Sequence, residues 1–240
     1  STNNTPSYTS LDSLKDFGDF EVEQQSKIRK LGAKNLSQSW TSIPHVTHFE
    51  EIDISIIEEQ RSELNKTSET KLTPLSYLVM KVISALQEFP QFNAALVGEG
   101  EIMLRKYFNI GIAVDTKDGL LVPVIKEADK LNITEVANEI IMLAEKAKNK
   151  KLLEKNLSGG TFSISSLGPM GGVGFTPIIN PPEVAILGVS RAKKVPALEG
   201  DKLVEKTILP VALSYDHRVI NGADAGKFMN FLKSEIEKGI

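Results

Sequence analysis

One histidine in the sequence lies where a catalytic base would be expected. His217 ends a β-rich run, VALSYDH, and is followed at once by RVINGA and a helical pattern. Catalytic groups often lie where a rigid strand passes into a loop or helix, and a neutral imidazole can accept and return a proton near neutral pH. A structural histidine at a strand end fits the same pattern. Asn221, four residues later, fits either a polar site residue or the N-cap of the last helix.

A glycine-rich segment carries the second set of candidate side chains. Residues 159–174 have the sequence GGTFSISSLGPMGGVG, in which a strand pattern ends in the hydroxyls of Ser165 and Ser166. The segment lacks the Lys-Ser/Thr pair of a P-loop, and no helix follows at the spacing of a dinucleotide-binding fingerprint. It predicts either a surface turn or a hydroxyl beside backbone that a ligand can approach closely.

The composition excludes several classes of chemistry and of partner. The chain has 240 residues, no cysteine and three histidines, so thiolate nucleophiles, disulfides and cysteine zinc sites are excluded. His45 and His48 would point to opposite faces of a predicted strand, and we predict no metal site. A formal charge of −3 with mixed signs indicates no nucleic-acid partner. No apolar run approaches the roughly 20 residues of a membrane span, and we expect no membrane partner.

Strand and helix patterns alternate along the chain and must position these side chains. The predicted strands are residues 45–55, 107–115, 120–126, 161–166, 184–190 and 208–216, and Asp118-Gly119 predicts a hairpin between the second and third. The predicted helices are residues 56–66, a helix that Thr73-Pro74 begins and Pro90 ends, residues 133–149, and a helix after Asn221. This order predicts an α/β (α+β) two-layer sandwich, with a mixed sheet and helices mainly on one side.

The first 20 residues differ in composition from the rest. Residues 1–10 are small and polar, and the following LDSLKDFGDF mixes isolated apolar residues with acids and has no clear periodicity. We expect residues 1–20 to be the end of a linker and an arm that packs on something else, such as another copy of the chain. Residues 21–240 are expected to form one domain.

The C-terminal stretch LSYDHRVINGADAGKF resembles the His-X-X-X-Asp/Asn-Gly active-site motif of the dihydrolipoamide acyltransferases. Four further segments match this family in the expected order: IPHVTHFEEIDIS, NIGIAVDTKDGLLVPVIK, GGTFSISSLGPMGG and INPPEVAILGVSRA. The resemblance covers residues 21–240 and is strongest to the acetyltransferases of bacterial pyruvate dehydrogenase complexes. It implies a fold like that of chloramphenicol acetyltransferase.

The resemblance also implies a role for each candidate residue. His217 would be the general base, Ser165 the hydroxyl that stabilises the oxyanion, and Asn221 the fifth residue of the motif, where many members have Asp. The implied reaction passes an acetyl group from S-acetyldihydrolipoyl, carried on a separate lipoyl domain, to coenzyme A. A free thiol titrates near pH ~8.5, so a base that takes its proton assists the attack. Both thiols belong to the substrates, so a chain without cysteine suits this chemistry.

The quaternary structure and partners are likewise implied by the resemblance alone. The family forms trimers in which Ser165 of one chain would face His217 of its neighbour, and trimers assemble into a cubic core. The implied partners are lipoyl domains and the pyruvate dehydrogenase and dihydrolipoamide dehydrogenase components, in the bacterial cytoplasm. Three alternatives stay open at this point: a succinyl- or branched-chain acyltransferase, a non-catalytic core scaffold, and a small-molecule acetyltransferase of the chloramphenicol type.

Overall fold

A computed structural model of the chain describes residues 9–239, except the side chain of residue 169. Its helices are α1 (Lys27–Ser42), α2 (Ser55–Leu64), α3 (Pro74–Glu88), α4 (Ile133–Lys148), α5 (Glu154–Leu157) and α6 (Gly222–Glu237). Its strands are β1 (His45–Asp53), β2 (Ala94–Val97), β3 (Glu101–Leu104), β4 (Ile110–Ile112), β5 (Val114–Thr116), β6 (Gly119–Leu121), β7 (Val124–Ile125), β8 (Phe162–Ser166), β9 (Ala185–Val189), β10 (Lys193–Glu199) and β11 (Lys202–Asp216). Within this range no helix is long and apolar enough to cross a bilayer.

Seven strands form one mixed sheet. Six of them lie in the order β1-β11-β9-β8-β4-β7, and β10 pairs with the first half of β11. The β8 strand is parallel to both β9 and β4, whereas β11 is antiparallel to β1 and β9. The end of β11 therefore lies beside the beginning of β9.

The two faces of the sheet differ in what covers them. Along β8, Phe162 and Ile164 belong to the large apolar core that α2, α3, α4 and α6 complete. Ser163 and Ser165 alternate with them and therefore point to the other face. That face carries a small apolar cluster, which Ile43, Ile179 and Ile186 form. The predicted mixed sheet with helices mainly on one side is thus confirmed.

Most predicted elements are present, and the differences have local causes. The predicted hairpin at Asp118-Gly119 is divided: β4 and β7 pair within the main sheet, and β5 and β6 form a separate two-stranded sheet. Thr73 occupies the N-cap position of α3 as predicted, but its side chain makes no capping hydrogen bond. The last strand was predicted to begin at residue 208 and instead begins at Lys202, because its polar first half pairs with β10.

The N-terminal segment has few contacts with the rest of the chain. Residues 1–8 of the predicted arm lie outside the described residues. From residue 9 to residue 25 every side chain is exposed, including those of a short 3₁₀ helix at Asp12–Phe17. The exposed side chains include five large apolar ones: Leu11, Leu14, Phe17, Phe20 and Val22.

Candidate active site

His217 lies immediately after the last residue of β11, and its backbone is fixed. Its N–H donates to the carbonyl of Pro44 at 3.1 Å, which extends the pairing of β11 with β1 by one residue. The side chain is exposed, and its nearest aromatic neighbour is Tyr215, with ring centroids 5.9 Å apart. The strand thus presents an accessible imidazole from a rigid support.

An ion pair between the residues before and after His217 fixes the turn that follows β11. Asp216 is 2% exposed, and its carboxylate accepts two hydrogen bonds from Nε of Arg218 and one, at 2.6 Å, from Nη2. These bonds raise the pKa of Arg218. The Asp216 carboxylate also accepts from the Arg218 backbone N–H, and its backbone carbonyl accepts from Val219 and Ile220. This pair was not among the candidates from the sequence, although its residues are the immediate neighbours of His217.

Asn221 is the N-cap of α6. Its side-chain oxygen accepts a hydrogen bond from the backbone N–H of Asp224 at 2.9 Å. The cap fixes where α6 begins, four residues after His217, and α6 then buries Phe228 and Met229 in the core. The capping interpretation of Asn221 is therefore observed directly.

Ser165 lies near the end of β8 on the sheet face away from the main core, and it is half-buried. It pairs with Gly188 of β9, so the two residues face the same side. A Cβ at Gly188 would lie 2.9 Å from Cζ of Phe175 and 3.2 Å from Cδ of Pro177. Gly188 thus leaves room for the Phe175 ring beside the serine.

The glycine-rich segment after β8 forms an exposed loop. Ser166, the neighbour of Ser165, points to the opposite face of the strand, and its hydroxyl accepts from the Gly168 N–H at 3.3 Å. Gly171 and Gly172 both have positive φ angles, 93° and 89°, which glycine adopts without strain. Met170 and Val173 are 73% and 87% exposed. The loop therefore places accessible apolar side chains shortly after Ser165.

Within one chain the structure does not bring Ser165 and His217 together. Ser165 pairs with Gly188, Gly188 pairs with Ala212, and His217 lies five residues further along β11. At a rise of about 3.4 Å per residue and about 4.8 Å between strands, the two residues are roughly 15–20 Å apart. They lie at opposite ends of the sheet, so a site that needs both requires a second chain.

The other two histidines have different surroundings. Nε2 of His45 accepts a hydrogen bond from the Ile179 N–H at 3.1 Å, so its Nδ1, 2.9 Å from the Ile43 carbonyl, carries the proton. The His45 ring also packs against Trp40, with centroids 5.5 Å apart. His48 lies 3.9 Å from a Glu50 oxygen. His45 is thus a structural residue that joins β1 to the segment before β9.

Comparison with known proteins places the chain in a family. The family model "2-oxoacid dehydrogenases acyltransferase (catalytic domain)" matches residues 17–239. Two curated relatives are dihydrolipoyllysine-residue acetyltransferase components of pyruvate dehydrogenase complexes, from Cupriavidus necator and Pseudomonas aeruginosa. They are 46% and 47% identical over 90% and 88% of this chain. The chain spans only 39% and 40% of the length of these two relatives.

Solved structures agree with this result. The dihydrolipoamide acetyltransferase of Azotobacter vinelandii superposes with a TM-score of 0.92 at 43% identity and 97% coverage of both chains. That structure belongs to an investigation of one serine, one histidine and one asparagine in its catalytic mechanism, whose positions are 52 and four residues apart. A structure of the cubic core of a pyruvate dehydrogenase multienzyme complex gives the same TM-score, identity and coverage.

Chloramphenicol acetyltransferase shares the fold alone, with a TM-score of 0.52 at 15% identity, over 85% of this chain and 92% of its own. This likeness confirms the predicted fold class. The family match and the two relatives together show that the chain belongs to the catalytic-domain family of the 2-oxoacid dehydrogenase acyltransferases.

Proposed function

We propose that this chain transfers an acetyl group from S-acetyldihydrolipoyl to coenzyme A and gives acetyl-CoA, as the core of a pyruvate dehydrogenase complex. One observation carries the proposal. Ser165, His217 and Asn221 are 52 and four residues apart, the same residue types at the same spacing as in the Azotobacter vinelandii enzyme. This spacing supports Ser165, rather than Ser166, as the hydroxyl that takes part in transfer.

In this proposal His217 acts as the general base. Its imidazole takes the proton from the thiol of coenzyme A as the sulfur attacks the carbonyl carbon of the acetyl thioester. When the bond from that carbon to the dihydrolipoyl sulfur breaks, the imidazole returns the proton to the leaving sulfur. General acid–base catalysis of this kind contributes roughly 10²–10⁴ in rate.

Ser165 is proposed to stabilise the charge that develops between these two steps. The carbonyl oxygen becomes an oxyanion, to which the serine hydroxyl donates a hydrogen bond. A fixed donor of this kind is worth on the order of 10²–10³ in rate. The mechanism needs no covalent acyl-enzyme, since coenzyme A attacks the acyl group directly.

The separation of Ser165 and His217 at opposite ends of one sheet supports a site shared between chains. We propose a homotrimer in which Ser165 of one chain faces His217 of its neighbour, with trimers assembled into a cubic core. The exposed apolar side chains before residue 23 suit an arm that packs on another copy, because a large apolar surface on a stable protein marks an interface. In this division residues 1–20 are the linker end and arm, and residues 21–240 the catalytic domain.

Membership of a pyruvate dehydrogenase complex implies the remaining partners of the chain. Lipoyl domains would bring the acetyl group, coenzyme A would receive it, and the pyruvate dehydrogenase and dihydrolipoamide dehydrogenase components would complete the cycle. The proposed location is the bacterial cytoplasm. The relatives named as acetyltransferase components of pyruvate dehydrogenase complexes support this assignment.

The test of the proposed base is the His217→Ala variant. We expect acetyl-dihydrolipoamide:coenzyme A transfer to fall by roughly 10²–10⁴, because the variant lacks the proposed acceptor of the thiol proton. The mass of the oligomer should stay unchanged, since the His217 side chain is exposed and only its backbone pairs with Pro44. Undiminished transfer would overturn the assignment of His217 as the base. A wild-type oligomer with no transfer activity would instead leave the chain with the role of a scaffold.

The acyl group is tested separately by the turnover of acetyl-, succinyl- and isobutyryl-dihydrolipoamide with one preparation. The proposal predicts the highest kcat/KM for the acetyl substrate. A preference for the succinyl or the branched substrate would place the chain in the core of a different 2-oxo acid dehydrogenase complex.

A further inference from the structure

A buried arginine binds the backbone just before β8 and just before β9. The beginning of β9 lies beside the end of β11. Arg105 follows β3 and is 5% exposed. Its Nη2 donates to the carbonyl of Pro182 at 2.9 Å, and its Nη1 lies 3.4 Å from the carbonyls of Gly160 and Thr161. One guanidinium therefore holds the backbone just before β9 and just before β8.

The backbone of Arg105 is itself fixed. Its N–H donates to the Asn93 carbonyl, and the buried side-chain amide of Asn93 donates to the carbonyls of Arg105 and Tyr107. Because this backbone is fixed and the donors of a guanidinium are planar and preorganised, Arg105 can hold the carbonyls that it binds in a defined position.

The segment that Arg105 holds leads directly to His217. Pro182 is two residues before Val184, whose carbonyl accepts a hydrogen bond from the Asp216 N–H at 2.8 Å. Asp216 precedes His217 and forms the ion pair with Arg218. The path from the guanidinium to the proposed base thus runs through two main-chain segments, residues 182–184 and residues 216–217, which one backbone hydrogen bond joins.

We infer that Arg105 is a positioning residue for His217: by fixing the start of β9 it sets where the end of β11 presents the imidazole. The inference rests on the proposed function, because it concerns the placement of the proposed base. Arg105 itself touches no reacting atom in this account.

Glu183 is a buried carboxyl near Arg105, and its protonation bears on whether the fold tolerates the loss of the arginine charge. Its carboxyl is 3% exposed, and Oε2 has no hydrogen-bond partner among the described residues. Burial raises the pKa of Glu183 to about 7, while nearby Ser163, Arg105 and Asn180 oppose the rise. Without Arg105 this pKa should rise further, which favours the neutral carboxyl. We therefore expect the Arg105→Gln variant to tolerate the loss of the arginine charge and to fold.

The experiment measures kcat and KM for acetyl-dihydrolipoamide and coenzyme A with the intact oligomer. We expect Arg105→Gln to lower kcat by about 10- to 100-fold, the cost of displacing a catalytic group by about 1 Å. KM should change by less than about twofold, since ground-state binding is not affected. Arg105→Lys should recover part of the activity because its ammonium can still reach one carbonyl. Lys106→Gln, which removes an exposed cation at the next position, is the matched control and should behave as wild type.

A double-mutant cycle separates positioning of His217 from general damage. In the His217→Ala background Arg105→Gln should cause no further loss of the residual transfer, whereas in the Ser165→Ala background it should cause the same fold-loss as in wild type. An unchanged kcat, or an equal loss in the His217→Ala background, would overturn the inference. If Arg105→Gln does not assemble into the oligomer, the same cycle with Arg105→Lys tests the inference. Full activity of His217→Ala alone would refute the proposed role of His217, and absence of transfer by the wild type would refute the proposed function.

Discussion

At the scale of single residues, His217 is placed by its backbone while its ring stays exposed. Asp216 on one side is buried and paired, and the His217 N–H is bonded to Pro44. A general base must be accessible and must also be held in a defined place. The neighbours of His217 therefore hold the backbone from which the exposed imidazole projects.

Ser165 and its neighbour Ser166 offer a matched pair of hydroxyls for a test. Ser165→Ala should lower kcat by about 10²–10³ with little effect on KM, because the hydrogen bond to the oxyanion forms mainly in the transition state. Ser166→Ala should have a much smaller effect on kcat, because its hydroxyl faces the other side and accepts from Gly168. Steady-state kinetics of the two variants measures this difference. A larger kcat loss in Ser166→Ala would transfer the proposed role to that residue.

At the scale of elements, the two proposed catalytic groups lie at opposite ends of one sheet, on strands β8 and β11 that β9 separates. The end of β8 carries Ser165, and the end of β11 carries His217. The cap at Asn221 then begins α6, whose buried face packs against α3 and β1. The position of the turn that contains His217 is therefore fixed from both sides.

Asn221 should act through its side-chain oxygen. Asn221→Asp keeps a capping acceptor and adds a favourable charge at the helix N-terminus, so thermal unfolding and kcat should stay close to wild type. Asn221→Ala should cost about 1 kcal/mol of stability and should lower kcat as the turn loosens. Thermal unfolding and steady-state turnover of both variants check this. If Asn221→Asp unfolded normally but lost its activity, the amide N–H would be essential and the capping account insufficient.

The sequence predicts elements best where a periodic apolar pattern coincides with burial. The α3 and α6 helices were predicted because their buried residues recur at helical spacing. In contrast, β10 and the first half of β11 carry exposed apolar residues at Leu198 and Leu203, 73% and 74% exposed, and charges on both sides. These two segments are held by hydrogen bonds to each other rather than by burial in the core. Neither segment alone therefore shows a hydrophobic pattern that predicts a strand.

At the scale of the whole molecule, the two proposed catalytic residues of one chain lie at opposite ends of its sheet, and we propose that they belong to different sites. Ser165 and His217 could be named from motifs, yet no local pattern predicts that they lie at opposite ends of the sheet. That separation follows from the parallel and antiparallel pairing of β8, β9 and β11, which joins residues far apart in sequence. Asp216 and Arg218 were missed for a related reason, because their role depends on burial of the carboxylate, which the sequence does not display.

The central claim is that each site takes its serine from one chain and its histidine from another. The most direct measurement is transfer activity in mixed oligomers of Ser165→Ala and His217→Ala chains, formed by co-expression. Each variant alone should be nearly inactive. Random mixing of the two chains in equal amounts should restore about one quarter of wild-type activity. This fraction follows because about one quarter of the interfaces pair an intact serine with an intact histidine. Activity of the mixture that stays at the mean of its two parents would contradict a site shared between chains.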